Sequence, residues 1–140
     1  MATLNAFVFL SLNGFYKGPE EDISWHTHGD EEAAFSLNSL KTGNTLLLGR
    51  NTYDMMYRYW TSETAHATYP EVAAWMNKVQ KVVVSSSLHA ASWTPSTLIQ
   101  SHAMERIRQM KQTSTKNLTV LGSGHLLCQL AEAGLVDTFQ

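Results

Sequence analysis

Three short apolar runs constrain this chain most: Leu46-Leu47-Leu48, Val82-Val83-Val84 and Leu118-Thr119-Val120-Leu121. Consecutive apolar positions with little polar alternation belong to strands covered on both faces. Strands of that kind, separated by helix-like patterns, favour a parallel sheet sandwiched between helices. The expected fold class is therefore α/β, an α/β/α sandwich with a mostly parallel sheet.

The remaining elements follow from the same reading. Phe7 to Leu12 reads as a first buried strand, ended by Asn13-Gly14. Phe15 to Gly29 is a loop long enough to cover something. Asp30 caps a helix whose first turn carries Glu31 and Glu32 and whose buried face is Ala33, Leu37 and Leu40; Gly43 closes it. A strand over Thr45–Gly49 leads to a helix starting near Asn51 or Thr52. Pro70 opens a helix through Lys78. Lys81 begins a strand that runs into Ser85-Ser86-Ser87, and Ser96–Gln100 is a short strand. Met104, Ile107 and Met110 share one helix face. Asn117–Gly124 is a strand breaking into glycines, His125–Gly134 a helix, and Leu135–Phe139 a last strand.

The 140 residues are 44% hydrophobic, close to the usual size of one domain, so residues 1–140 are expected to form one core. Ten Lys and Arg against twelve Asp and Glu leave a net charge of −2, which argues against nucleic acid or a polybasic membrane contact. The one cysteine, Cys128, excludes an internal disulfide and reads as a small buried hydrophobe beside Leu126 and Leu130. No basic region precedes the first apolar run, and no segment has the length of a membrane span. A cytoplasmic location is expected.

Three of the expected strands end in similar chemistry. Gly49 is followed by Arg50 and Thr52, Val84 by Ser85 and Ser86, and Leu121 by Gly122-Ser123-Gly124. In a parallel sheet the carboxyl ends share one edge, where ligands of α/β proteins bind. A guanidinium, hydroxyls and bare N–H groups at helix starts suit phosphate. Each feature also has a plainer reading: Arg50 paired with Asp54 one turn on, the serines a polar loop, the glycines a tight turn. A nucleotide with several phosphates accounts for all three together.

Phe7–Phe15, Leu46–Trp60, Lys81–Leu88 and Leu118–Asp137, in that order, resemble the dihydrofolate-reductase-like superfamily, in particular the reductase domain of riboflavin biosynthesis and its stand-alone relatives. The resemblance covers almost the whole chain and implies a three-layer sandwich binding NADPH along the carboxyl edge. It assigns Arg50 to the 2′-phosphate, with Ser85 and Ser86 beside it and the adenine. Gly49 and Thr52 stand at a helix start facing the pyrophosphate, which Gly122, Ser123, Gly124, His125 and Leu126 cradle. Leu12 and Gly14, in the Ser11–Gly14 segment, lie near the nicotinamide. It also implies further strands after Asp137, so the chain is expected to lack the family's last strands, being either truncated or completed at its edge by a partner, as a homodimer.

No catalytic residue is fixed by the sequence; the candidates are Asn13, His26, Glu31 and Glu32. Dihydrofolate reductases carry a carboxylate on the first helix, and matching backwards from Gly49-Arg50 puts that position near Ala33. Many relatives have Asp where this chain has Asn13. Trp25, Tyr57 and Trp60 are candidates to contact a flat heterocycle. His26 and His28 alternate, yet no third and fourth ligand stands at a recognisable spacing, so no metal is expected. The expected function is an NADPH-dependent reductase of a pyrimidine- or pterin-like heterocycle, such as 5-amino-6-(5-phosphoribosylamino)uracil. Dihydrofolate reduction and a non-catalytic nucleotide-binding or dimerisation module remain the alternatives.

Overall fold

Strand alternation organises the molecule. The computed structural model describes residues 1–140. Strand β2 (Thr45–Gly49) points Leu47 to one face of the sheet and Leu46 and Leu48 to the other. Strand β3 (Lys81–Val84) likewise divides Val82 from Val83. Each face collects its own core, and successive residues of a strand must alternate in this way.

One core gathers Leu4, Ala6, Leu47, Val82, Ile99, Leu118 and Val120 from the strands. Helices α5 (Ala103–Thr113) and α6 (Gly124–Glu132) cover it with Ile107, Leu126 and Leu130. The opposite face is covered by α1 (Asp30–Lys41), α2 (Arg50–Trp60) and α4 (Pro70–Lys78), which contribute Leu40, Tyr53, Val72 and Met76. The result is the expected three-layer sandwich.

The sheet adds β1 (Leu4–Phe7), β4 (Ser96–Ile99), β5 (Leu118–Leu121) and β6 (Thr138–Phe139), in the order β4-β3-β2-β5-β1-β6. Every pairing is parallel. From β2 the chain steps outward through β3 to β4, then returns to insert β5 between β2 and β1. Helix α2 leaves β2 over one face, and α6 leaves β5 over the other. Strand order thus reverses between β2 and β5, and the two helix starts diverge there.

Some boundaries differ from the sequence reading. The first strand is Leu4–Phe7 and not Phe7–Leu12. Its neighbour β5 ends at Leu121, Gly122 donates to the Phe7 carbonyl (3.0 Å), and on the other side the Val8 amide donates to the Gln140 carbonyl (3.1 Å), where pairing ends. Leu4 and Ala6 fill the core, whereas Leu10 and Leu12 are exposed. Asp30 is the first residue of α1, and Gly29 holds the cap position. Helix α2 begins at once after Gly49. A short helix, α3 (Glu63–Thr68), escaped the sequence reading; the Ser62 hydroxyl caps it by accepting from Ala65 N–H (3.2 Å). Cys128 is exposed, because it lies ~200° round α6 from Leu126, whose face packs on the sheet.

A charged side chain lies inside the second core. Lys81 has no exposed surface; its ammonium donates to the Val79 carbonyl (2.8 Å) and sits 4.4 Å from the centre of the Trp93 ring. Burial lowers its pKa from 10.5 to about 8. Below about pH 8 both folded and unfolded chains hold the proton and the full cost of the buried charge is carried; above it the unfolded chain binds more protons, so stability rises with pH towards 10.5. Lys81→Met should therefore be more stable than the native chain at neutral pH by about 1–3 kcal/mol. That advantage should shrink as pH rises through the same window. Urea midpoints of the two proteins measured across it provide the check.

Candidate active site

Ligands of open α/β sheets bind outside the carboxyl ends of strands where strand order reverses. Here that point is the β2–β5 seam, and a cleft of about 1570 Å³ opens over it. Ligand pockets commonly occupy roughly 300–1,000 Å³, so this cleft has room for an extended molecule.

The floor of the seam is closed by one hydrogen bond. The Gly49 N–H donates to the Ser123 hydroxyl at 2.9 Å, tying the end of β2 to the turn after β5. A β-carbon on Gly49 would stand 3.3 Å from both Cβ and Oγ of Ser123, so a side chain there would have to push Ser123 back by a few tenths of an ångström. Gly122 (φ +50°) and Ser123 (φ +54°) are both left-handed, which swings the chain sharply from strand into α6. Gly122 is at home there; Ser123 is strained, and its bonded hydroxyl helps to hold it.

Two helix starts face the cleft. In α6 the first amide bonded back is Leu127, which donates to the Ser123 carbonyl (2.8 Å); Gly124, His125 and Leu126 precede it with N–H groups free of intrahelical bonds. Thr52 lies in the first turn of α2, and its hydroxyl would be 3.9 Å from a β-carbon on Gly122. Both helices direct the positive end of their dipole to the same space. Tyr16, from the covering loop, lies directly on Gly124: a β-carbon there would clash with its hydroxyl and ring. The bare backbone therefore admits close contact from the cleft side.

Arg50 spans the seam's flank. Its Nη1 donates to the Ser87 hydroxyl (2.8 Å), and its Nε donates to Asp54 (3.3 Å). The Asp54 contact is the plainer pairing the sequence allowed; the Ser87 contact aims the guanidinium across to the turn after β3. Ser85 is buried, and its hydroxyl accepts from the amides of Ser87 (3.3 Å) and Leu88 (3.1 Å). This turn leaves Ser86 exposed over the cleft.

The structure thus brings together Gly49, Arg50, Thr52, Ser85, Ser86, Gly122, Ser123, Gly124, His125 and Leu126 along one cleft. Trp25, His26 and Glu32 also line it, at the end towards β1. His26 stacks on Phe9, with ring centres 4.0 Å apart. Leu12, Asn13, Gly14 and Glu31 lie outside the lining. Ser11 and Asn13 bond each other in a tight turn, and Leu12 is fully exposed. Tyr57 also stands apart, stacked between Tyr53 and Trp93 (5.9 Å from each). Trp60 does line the cleft, at the far end of α2, about 15 Å of helix from the start of that helix. The contributions of Tyr16 and Ser87 had no separate signal in the sequence, since both depend on how loops fold back.

Removing the Ser123 hydroxyl leaves the part-buried Gly49 amide without its acceptor. Ser123→Ala should cost about 1–2 kcal/mol of unfolding free energy. His125→Ala, two residues on and exposed, should change it by less than about 0.5 kcal/mol. Chemical denaturation of both variants tests the difference.

No helix is long and apolar enough to cross a membrane. No curated protein matches the chain. The RibD C-terminal domain matches residues 2–140, nearly the whole chain. With that match and the all-parallel three-layer architecture, the chain belongs to the RibD C-terminal domain family, a reductase-type domain of riboflavin biosynthesis.

Proposed function

We propose that the chain is an NADPH-dependent reductase acting on a ribosylamino-pyrimidine such as 5-amino-6-(5-phosphoribosylamino)uracil. The observation that carries this reading is the convergence of Arg50, the serine turn and the α6 start on one seam. The residues fit the cofactor. Gly122 and Gly124 leave the backbone bare, the free amides of Gly124, His125 and Leu126 suit a pyrophosphate, and Arg50 with Ser86 and Ser87 suits a 2′-phosphate. Bound dihydronicotinamide supplies the hydride.

The chain's own residues bind and orient. Arg50 carries a fixed positive charge whose remaining donors face solvent, so a phosphate is held without displacing Ser87. Tyr16 covers Gly124 and moves aside when the pyrophosphate takes its place. At the β1 end, Phe9 and Trp25 offer flat apolar surface to a heterocycle, and His26 and Glu32 are its polar neighbours. Of the four catalytic candidates, only His26 and Glu32 line the cleft. A homodimer belongs to the same reading, supported by the exposed Phe139 on the edge strand β6.

Calorimetric titration with NADPH and NADH tests the cofactor. NADPH should bind more tightly, and Arg50→Ala should erase about 1.5–3 kcal/mol of that preference, roughly 10–100-fold in affinity. Equal affinities for both cofactors in the native protein, or a preference untouched by Arg50→Ala, would sink the assignment of Arg50. Light scattering at micromolar concentration should read a dimer; a monomer removes that part of the reading.

A further inference from the structure

We propose that His26, His28 and Glu32 form a binding site for a divalent transition cation of the zinc class at the mouth of the cleft. The inference rests on geometry alone and is independent of the cofactor reading. Sequence spacing offered only the two histidines. The third ligand appears because His28 and Glu32 stand four residues apart across the start of α1, which brings one side chain over the other. The His28 Nδ1 lies 3.0 Å and 3.1 Å from the two Glu32 oxygens. The loop then returns His26 to the same carboxylate, with Nε2 3.4 Å from Oε2.

These separations match those of a coordination sphere. Zinc–nitrogen and zinc–oxygen bonds of about 2.0–2.1 Å at tetrahedral angles put neighbouring ligand atoms about 3.3–3.4 Å apart. Both histidine–glutamate distances already lie near that value. One ligand atom from each of the three residues lies within 4.8 Å of the others. The two ring nitrogens therefore need to close by at most about 1.5 Å to complete the triangle, a movement within reach of small side-chain rotations.

The surroundings favour a cation as well. The Glu32 and His26 side chains are about 20% and 17% exposed, and Phe9 forms an apolar wall against the His26 ring. The His26 and His28 rings meet edge to face, 4.5 Å between centres, with both directed at one carboxylate. A single dication satisfies two imidazole nitrogens and a carboxylate together. The two imidazoles favour zinc and its transition-metal neighbours over magnesium or calcium. Three protein ligands leave a fourth position for water or for an oxygen of a molecule in the cleft, the arrangement of a catalytic-type site and not a closed structural one.

The test uses the untagged full chain, titrated with Co²⁺ by visible spectroscopy and with Zn²⁺ by calorimetry. One equivalent of Co²⁺ should bind with the intense d–d bands of a four-coordinate site, and Zn²⁺ should displace it. His28→Ala and Glu32→Gln should each weaken binding about tenfold or more. His28 is 58% exposed, so its replacement keeps the test open should Glu32→Gln disturb α1. Absence of a stoichiometric site in the native chain overturns the proposal. So does cation binding that survives both substitutions, which would leave the three residues as a hydrogen-bonded histidine–carboxylate cluster.

Discussion

The insertion of β5 between β2 and β1 is the constraint on which the rest depends. Leu47 opposite Val120 and Leu46 opposite Thr119 fix the register of that seam. Because the helices after β2 and β5 must cover opposite faces, their starts cannot meet, and the sheet opens at its carboxyl edge. Gly49 and Ser123 then do locally what the topology demands globally: they bring two chain exits close enough for one N–H to find one hydroxyl. A side chain at Gly49 would press on Ser123, the residue that closes the seam.

Charge is distributed to suit that arrangement. Two cations are tucked in at the amino edge. Lys81 lies against Trp93 at the start of β3. Lys111, at the end of α5, donates to the Leu135 carbonyl (2.7 Å) and pairs with Asp137 (2.6 Å). The lysine bond, with the Leu4 amide, holds the Asp137 carboxyl below its usual range. Arg50, on the opposite edge, stays exposed. The two buried lysines fasten elements at the amino edge, whereas at the carboxyl edge the Gly49–Ser123 bond fastens the seam within the candidate site itself.

Much of this was legible in the chain. Pro70 and the apolar face after it marked α4 to the residue, and Leu46–Leu48 and Val82–Val84 announced doubly covered strands because no polar residue interrupts them. The recurrence of glycine, serine and arginine at three strand ends could be seen, and those residues do come together along one cleft. What could not be read was tertiary. Phe9, Leu10 and Leu12 look more strand-like than Leu4 and Ala6, yet partner length decides where a ladder stops. Cys128 looked buried by composition and is exposed by helical phase. Tyr16 on Gly124, Ser87 under Arg50 and Glu32 between two histidines all depend on where loops return, and periodicity carries no record of that.

The position of β1 has a consequence for how the chain acquires its shape during synthesis. Within residues 1–140 β1 is made before the other strands, yet its only sheet partners are β5 and β6, with Leu4 opposite Leu118 and Asn5 opposite Thr138. The Ala2 amide donates to the Lys111 carbonyl (2.7 Å), so even the N-terminus waits for late residues. β2, β3 and β4, by contrast, pair with one another in order of emergence. Of these strands the first made is thus among the last to gain its partners, and Leu4 and Ala6 lack their sheet neighbours until β5 has emerged. Pairing across so long a loop is slow, so β1 is ordered after the β2–β3–β4 unit.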